Sequence, residues 1–175
     1  MNCFICVGMK DPYSVKEIAE ILTGSKDSED FGRVYRQIRY WTEKDALPPA
    51  GDATPGTGVS LEYDEDRVYH AAILQELSRI GVDQSALTLL AVQLADDYER
   101  RLWRYAKTGK AQVYLTGLFG PSGNNSWELS QDAPLTAQIA ENPDNAELKK
   151  PGNPYLYTSA VVINLTSVFR RMNFV

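Results

Sequence analysis

The chain has 175 residues, 43% of them apolar and 10% aromatic, enough to bury a core in one domain or two small ones and too apolar for wholesale disorder. No stretch approaches the roughly 20 apolar residues that span a bilayer, and residues 1–9 lack the length and basic flank of a signal peptide, so no membrane association and a cytoplasmic location are expected. The formal net charge of −5 is the wrong sign for a protein held to nucleic acid by bulk electrostatics.

The charge is also unevenly divided, with nine Lys/Arg against fifteen Asp/Glu in residues 1–83 and nine against eight in residues 84–175. Any nucleic-acid contact must therefore rest on a local basic face. Cys3 and Cys6 have a C-x-x-C spacing, but there is no second pair and His70 is the single histidine. Cys and His alone cannot complete a four-ligand zinc site, and neither a metal nor a cofactor is expected. The two thiols are read as reduced, on an apolar N-terminal strand or arm with Phe4, Ile5 and Val7.

Ser14 followed by Glu17 is a capping box that opens a first helix. Val15, Ile18, Ala19, Ile21 and Leu22 give it an apolar stripe, and Gly24 ends it. Residues 25–32 are polar and acidic without periodicity and read as a loop. A second helix is predicted from about Phe31 to Lys44, with Val34, Ile38 and Trp41 or Tyr35 toward the core and Arg33, Arg36, Arg39 and Tyr40 outside. Leu47-Pro48-Pro49 follows that helix and cannot continue it. Residues 50–60 are rich in Gly, Pro and Thr, and alternation at Val59, Leu61 and Tyr63 predicts a short hairpin with its tip near Gly56-Thr57-Gly58. Asp64 then caps a third helix, roughly Glu65 to Ile80, with Val68, Ala72 or Ala71, Ile73, Leu77 and Ile80 apolar. Gly81 is its stop.

A fourth, long helix is predicted from Gln84 or Ser85 to Lys107, because Leu87, Ala91, Leu94, Tyr98, Leu102 and Tyr105 recur at intervals of three and four. From Ala111 the pattern changes to strand-like alternation, then a Gly-Pro-Ser-Gly-Asn-Asn turn and Trp127-Glu-Leu-Ser, which together read as a hairpin. Residues 134–154 are polar and punctuated by prolines. Ala160-Val-Val-Ile163 suits a buried strand, and Asn164 or Thr166 opens a short last helix through Arg170 and Arg171. The fold class expected is α+β: an N-terminal winged helix-turn-helix over residues 1–83, a long linking helix over 84–109 and a small C-terminal α+β region over 110–175.

The succession Tyr13 to Gly24, Ile38-Arg-Tyr-Trp41, Leu47-Pro-Pro49, Tyr63-Asp-Glu-Asp66 and Leu77-Ser-Arg-Ile-Gly-Val82 resembles the MerR family of bacterial regulators. It is more loosely similar to excisionase and phage terminase winged helices. The resemblance covers roughly the first half of the chain, and its most specific pieces are Ile38-Arg-Tyr-Trp41 and Leu47-Pro-Pro49, where the family has an Ile-Arg-Tyr-Tyr recognition helix and a Leu-Pro turn. Two features depart from it: the loop before the second helix is lengthened and carries Asp27, Glu29 and Asp30, and the hairpin offers Thr57, Ser60 and Glu62 in place of arginines. No family is recognised in residues 84–175.

The resemblance implies sequence-specific binding of double-stranded DNA by a transcriptional regulator. The helix around Arg33, Arg36, Arg39, Tyr40 and Lys44 would dock in the major groove, with Ser14 and Lys16 at the first helix and Thr57 and Ser60 in the wing touching flanking backbone. It also implies a homodimer in which the long helix pairs with its copy through Leu87, Ala91, Leu94, Tyr98, Leu102 and Tyr105; spacing alone equally allows packing within one chain. The alternative to groove contact is a solvated helix face with ion pairs to Glu43 and nearby acids. Arg100, Arg101, Arg104, Lys107 and Lys110 either extend the DNA footprint, bind acidic residues of a partner subunit or, as the default reading, form a solvated helix end that complements the dipole. Tyr114, Phe119, Trp127, Tyr155 and Tyr157 either pack a small sheet or line a pocket for a small-molecule effector, and a protein effector at this region is equally open. Catalysis is not expected, since His70 has no nucleophile at a spacing that implies a triad and no Lys-Ser or Lys-Thr follows a glycine-rich frame. Two rival functions remain: an adaptor that keeps a winged helix to bind proteins, and a phage DNA-packaging or recombination accessory factor.

Overall fold

The computed structural model describes residues 12–50, 60–95, 97–119, 125–131 and 159–172. Residues 1–11 with Cys3 and Cys6, residues 51–59 with Thr57 and the expected hairpin tip, residues 120–124, and residues 132–158 with Tyr155 and Tyr157 lie outside them. The chain divides into two compact units, Met1–Ile80 and Gly81–Val175.

In the first unit a two-residue strand, Tyr13–Ser14 (β1), runs directly into the helix Val15–Thr23 (α1). The capping box is formed in both directions: the Glu17 amide donates to Ser14 Oγ at 3.3 Å and the Ser14 amide to Glu17 Oε2 at 2.9 Å. Two donors that a helix start leaves without partners are thereby satisfied. Gly24 ends α1 with φ of 77°, a left-handed conformation that a side chain would strain. The helix Phe31–Glu43 (α2) packs against α1. Glu62–Tyr63 (β2) then pairs antiparallel with β1, Tyr13 opposite Tyr63. The helix Glu65–Arg79 (α3) starts at Asp64, whose carboxylate accepts from the Arg67 amide at 2.9 Å.

The sequence pattern gave α3 a single apolar stripe, but Tyr69, His70 and Leu74 are buried together with Val68, Ile73 and Leu77. A helix covered around most of its circumference is a core element rather than a surface one. Ile80, expected on the stripe, is instead 52% exposed. It is the cap residue after the last helical position, and its side chain leaves the buried row.

The second unit contains Gln84–Leu94 (α4), Asp97–Lys107 (α5), the strands Tyr114–Phe119 (β3), Asn125–Ser130 (β4) and Ser159–Asn164 (β5), and the helix Leu165–Arg171 (α6). The sheet order is β4-β3-β5, antiparallel throughout, with Leu115 opposite both Leu129 and Ile163. Helix α6 follows β5 without a loop. Asn164 caps it by accepting from the Ser167 amide at 2.9 Å. The buried Thr166 hydroxyl donates to the Ala111 carbonyl at 2.9 Å and accepts from the Val113 amide at 3.1 Å, fixing the start of α6 to the approach into β3.

Two expectations for this unit are corrected. The single long helix over 84–107 is two helices. The first stops at Leu94 with Ala95 as its C-cap, and α5 begins at Asp97. Aspartate is poor inside a helix and favoured at its start, because its carboxylate competes for backbone amides and suits the positive end of the dipole. The apolar run in β5 is not a fully buried strand either: among the described residues β5 pairs with β3 alone, and Val162 is 42% exposed. The molecule is therefore α+β, with helices and small antiparallel sheets in both units. Among the described residues no helix is long and apolar enough to cross a membrane.

Candidate nucleic-acid interface

Helix α2 is built around Val34, Ile38 and Trp41, three fully buried side chains at i, i+4 and i+7. Phe31 and Tyr35, also one turn apart, stack with ring centroids 6.3 Å apart. This leaves the opposite side of the cylinder to Arg33, Arg36, Arg39 and Tyr40, all exposed. Arg36 and Tyr40 are four residues apart and Arg36 and Arg39 three, so all three share one face. Among the described residues no carboxylate pairs with Lys16, Arg36 or Arg39. Glu43, one turn beyond Arg39 and the partner foreseen for a merely solvated face, is exposed and makes no ion pair with it. Lys44 places its Nζ 5.9 Å from the centroid of the Tyr40 ring, within cation–π range.

Arg33 is different. Its Nε and Nη2 both donate to one carboxylate oxygen of Asp30, at 3.1 and 2.9 Å. This candidate DNA contact is thus paired, at the surface, with an acid of the lengthened loop. That loop is an ordered set of turns: the Ser28 amide donates to the Ser25 carbonyl, the Phe31 amide to the Ser28 carbonyl, and Ser28 Oγ accepts from the Asp30 amide. Asp30 stands at the N-cap of α2 with helical backbone angles, φ −78° and ψ −16°, and its side chain makes no capping bond. A cap needs an extended backbone to aim its oxygen at the following amides, so this carboxylate is free to take Arg33.

Ser14 is engaged locally: its hydroxyl is the α1 cap and also donates to Glu17 Oε2 at 2.8 Å. Lys16, two residues on, is exposed and remains available. Ser60 is exposed at the edge of the described residues. The Ala50 amide donates to the Glu62 carbonyl at 2.7 Å, so the chain leaves for residues 51–59 and returns from them at one point, beside β1.

The end of α2 is tightly made. The Ala46 amide bonds to the Trp41 carbonyl at 2.9 Å and the Asp45 amide to the Thr42 carbonyl at 3.2 Å, with Asp45 at φ 56°. This is a Schellman closure with aspartate in the left-handed position usually taken by glycine. Thr42 Oγ1 lies 3.0 Å from the Ile38 carbonyl, to which it donates, and 2.7 Å from the Tyr63 hydroxyl. Having one proton, the threonine must accept from Tyr63, and this buried bond ties α2 to β2. Burial pushes the Tyr63 phenol above its ordinary value, against smaller opposing pulls from Thr42 and from the nearby Arg39 guanidinium. Neither the Asp30 clamp nor the Thr42–Tyr63 tie was read from the sequence. The first has an i, i+3 signal, whereas the second spans 21 residues with no local sign.

Of the residues expected to pair two copies, those on α4 face the chain's own sheet. Leu87 and Leu94 are 1% exposed and Ala91 is buried. Leu90 and Leu94 face Leu115, Trp127 and Leu129 of the sheet, and the Trp127 indole N–H donates to the Ala86 carbonyl at 3.2 Å. The α4 part of the stripe is therefore covered within the chain. Leu102 is half-buried, Tyr105 is exposed, and the side chain of Tyr98 lies outside the described residues.

Of the aromatics weighed as an effector pocket, Phe119 and Trp127 meet edge-on at 5.6 Å and Tyr114 is half-buried. The cavity beside Trp127 measures about 10 Å³, room for a single water and not for a small-molecule effector. Arg104 and Lys110 are exposed, while the side chains of Arg100 and Arg101 lie outside the described residues. His70 is buried in α3, its Nδ1 accepting from Arg67 Nη1 at 3.3 Å. No protein-family model matches the chain, and a search of curated proteins finds no match to it.

Proposed function

We propose that the first unit is a winged helix-turn-helix that binds double-stranded DNA by laying α2 in a major groove, and that the protein acts as a sequence-specific transcriptional regulator. One observation carries this reading: Arg36, Arg39 and Tyr40 stand exposed on one face of α2, opposite its buried row, with no carboxylate paired to either arginine among the described residues. Guanidinium forks so placed can read guanine edges or bridge phosphates, and the tyrosine hydroxyl can donate to a phosphate oxygen. Lys16 on α1 would hold the flanking backbone, and the loop closed by Ala50 and Glu62 would serve as the wing. Palindromic operators call for a homodimer, and the joining surface would have to be one other than the α4 stripe, which the sheet covers.

The test is binding of the purified protein to fragments selected from a genomic DNA pool. A recovered palindrome is the expected outcome, with log affinity falling against log salt at a slope of roughly −4 to −5 for four to six neutralised phosphates. Arg36→Ala or Arg39→Ala should each cost about 1–3 kcal/mol of binding if the residue reads a base. Unchanged affinity in both variants would remove α2 as the recognition element. The Asp30–Arg33 pair and the acidic excess of residues 1–83 favour a second reading, a protein-binding adaptor of the same architecture. Absence of any DNA selection would leave that reading standing.

A further inference from the structure

We infer that Asp30 is an internal competitor for the phosphate backbone, holding Arg33 out of the interface so that DNA has to displace a carboxylate to recruit it. The inference rests on the DNA-binding reading above and assigns a role to a residue that lies outside the cationic face. The geometry is specific. Arg33 turns back along α2 by one turn, and two of its nitrogens donate to the same Asp30 oxygen at 3.1 and 2.9 Å. Asp30 is fixed from its own side, because its amide is held by Ser28 Oγ and the next amide by the Ser28 carbonyl. Its carboxylate is not engaged by the helix start, so binding Arg33 is the bond it makes.

A phosphate group can accept from the same two guanidinium nitrogens as the Asp30 oxygen does and competes for them directly. The pair is more than half exposed on both sides, so water screens it and a polyanion can exchange into it. Arg36 and Arg39, on the same helix and without such a partner among the described residues, would engage first. Arg33 would join only where the DNA presents a phosphate close enough to outbid Asp30, which makes Asp30 a residue that sets affinity and the choice of site.

The experiment is a double-substitution cycle measured by fluorescence anisotropy on the selected operator at two salt concentrations. Asp30→Asn should tighten binding about tenfold and steepen the salt slope by about one, as one more phosphate is neutralised. In an Arg33→Ala background the same Asp30→Asn change should gain less than about threefold, the long-range effect of deleting one negative charge. Equal gains in both backgrounds would overturn the inference, since Asp30 would then act only through bulk repulsion. If the wild-type chain and all variants fail to bind any DNA, the functional reading falls and this inference with it. Binding by the wild type with no response to Asp30→Asn removes the inference alone.

Discussion

Helices α2 and α4 have similar lengths, 13 and 11 residues, and each carries an apolar row that called for a cover. In α2 the row is narrow, and the rest of the cylinder is charged and exposed. In α4 Ala86, Leu87, Leu90, Ala91 and Leu94 are all buried, and what faces outward includes Leu89 and Val92. An apolar row states that something covers a helix; it does not state whether the cover belongs to the same chain. For α4 the three-stranded sheet is tethered by a short stretch of polypeptide, and its high effective concentration gives it the advantage over a second copy. What distinguishes a helix available to a partner is the face left over after its own core is satisfied.

The largest test of that contrast uses one glycine from each region. Gly117 lies in the middle of β3, opposite Trp127, and a Cβ there would fall 2.4 Å from the indole ring. The ring cannot easily retreat, because its N–H is bonded to the Ala86 carbonyl and Phe119 meets it edge-on. Gly117→Ala should cost about 1–3 kcal/mol in urea unfolding. On α2 a Cβ added at Gly32 meets nothing within 4 Å. Gly32→Ala should be neutral or stabilise by up to about 1 kcal/mol. Effects of the same sign and size at both positions would mean that the α4–sheet contact is not the tight one described.

A smaller effect is expected at the tie between α2 and β2. Tyr63→Phe removes the hydroxyl bonded to Thr42 but leaves the threonine its Ile38 acceptor, so no donor is stranded and the loss should be about 0.5–1.5 kcal/mol. The same residue predicts an alkaline limit. Burial raises the phenols of Tyr63 and Tyr69 above the ordinary value near 10. Near that pH the unfolded chain gives up a proton that the folded chain still holds. The stability linked to each phenol is therefore complete below about pH 10 and declines as pH rises beyond it. Melting temperature followed from about pH 9 to 11 should fall less steeply in Tyr63→Phe than in the wild type. Parallel curves would show that Tyr63 titrates freely in the folded protein.

How much of this was legible in the sequence follows from the range over which each feature is decided. The caps at Ser14 and Asp64 depend on residues three positions away, and each forms where its local pattern places it, while Asn164 is the one of two candidates that opens the last helix. The exposure of Arg36, Arg39 and Tyr40 follows from the buried row opposite them and was equally readable. Covering of the α4 stripe, by contrast, is decided by strands that begin 20 residues later in sequence, and no periodicity within the helix can reveal it. The placement of β5 beside β3 alone, among the described residues, is also non-local: Ala160-Val-Val-Ile163 fits a buried or a bordering strand, and only the order β4-β3-β5 decides. Arg33 is an intermediate case. Asp30 sits at a spacing that supports an ion pair on a helix, but the same arginine also fitted the recognition face, and composition gives no weight to either partner.

The smallest effect lies at the C-terminal end of α2, where backbone and charge can be separated. Asp45 is the one non-glycine residue with positive φ among those described. A left-handed conformation costs an L-residue about 1–2 kcal/mol, less for aspartate, and glycine avoids that cost while losing more chain entropy on folding. Asp45→Gly should therefore stabilise by roughly 0.5 kcal/mol, and Asp45→Asn, which tolerates the same angles, should leave stability near that of the wild type. Both changes delete an exposed carboxylate next to Lys44, at the border of the cationic face. If α2 binds DNA as proposed, both should then tighten that binding by the same small factor while only the glycine raises the melting temperature. If affinity followed stability instead, with asparagine gaining nothing, the order of the α2 terminus rather than its charge would be what DNA senses. The contrast between a helix that offers its charged face and one that hides its stripe would then rest on rigidity instead of electrostatics.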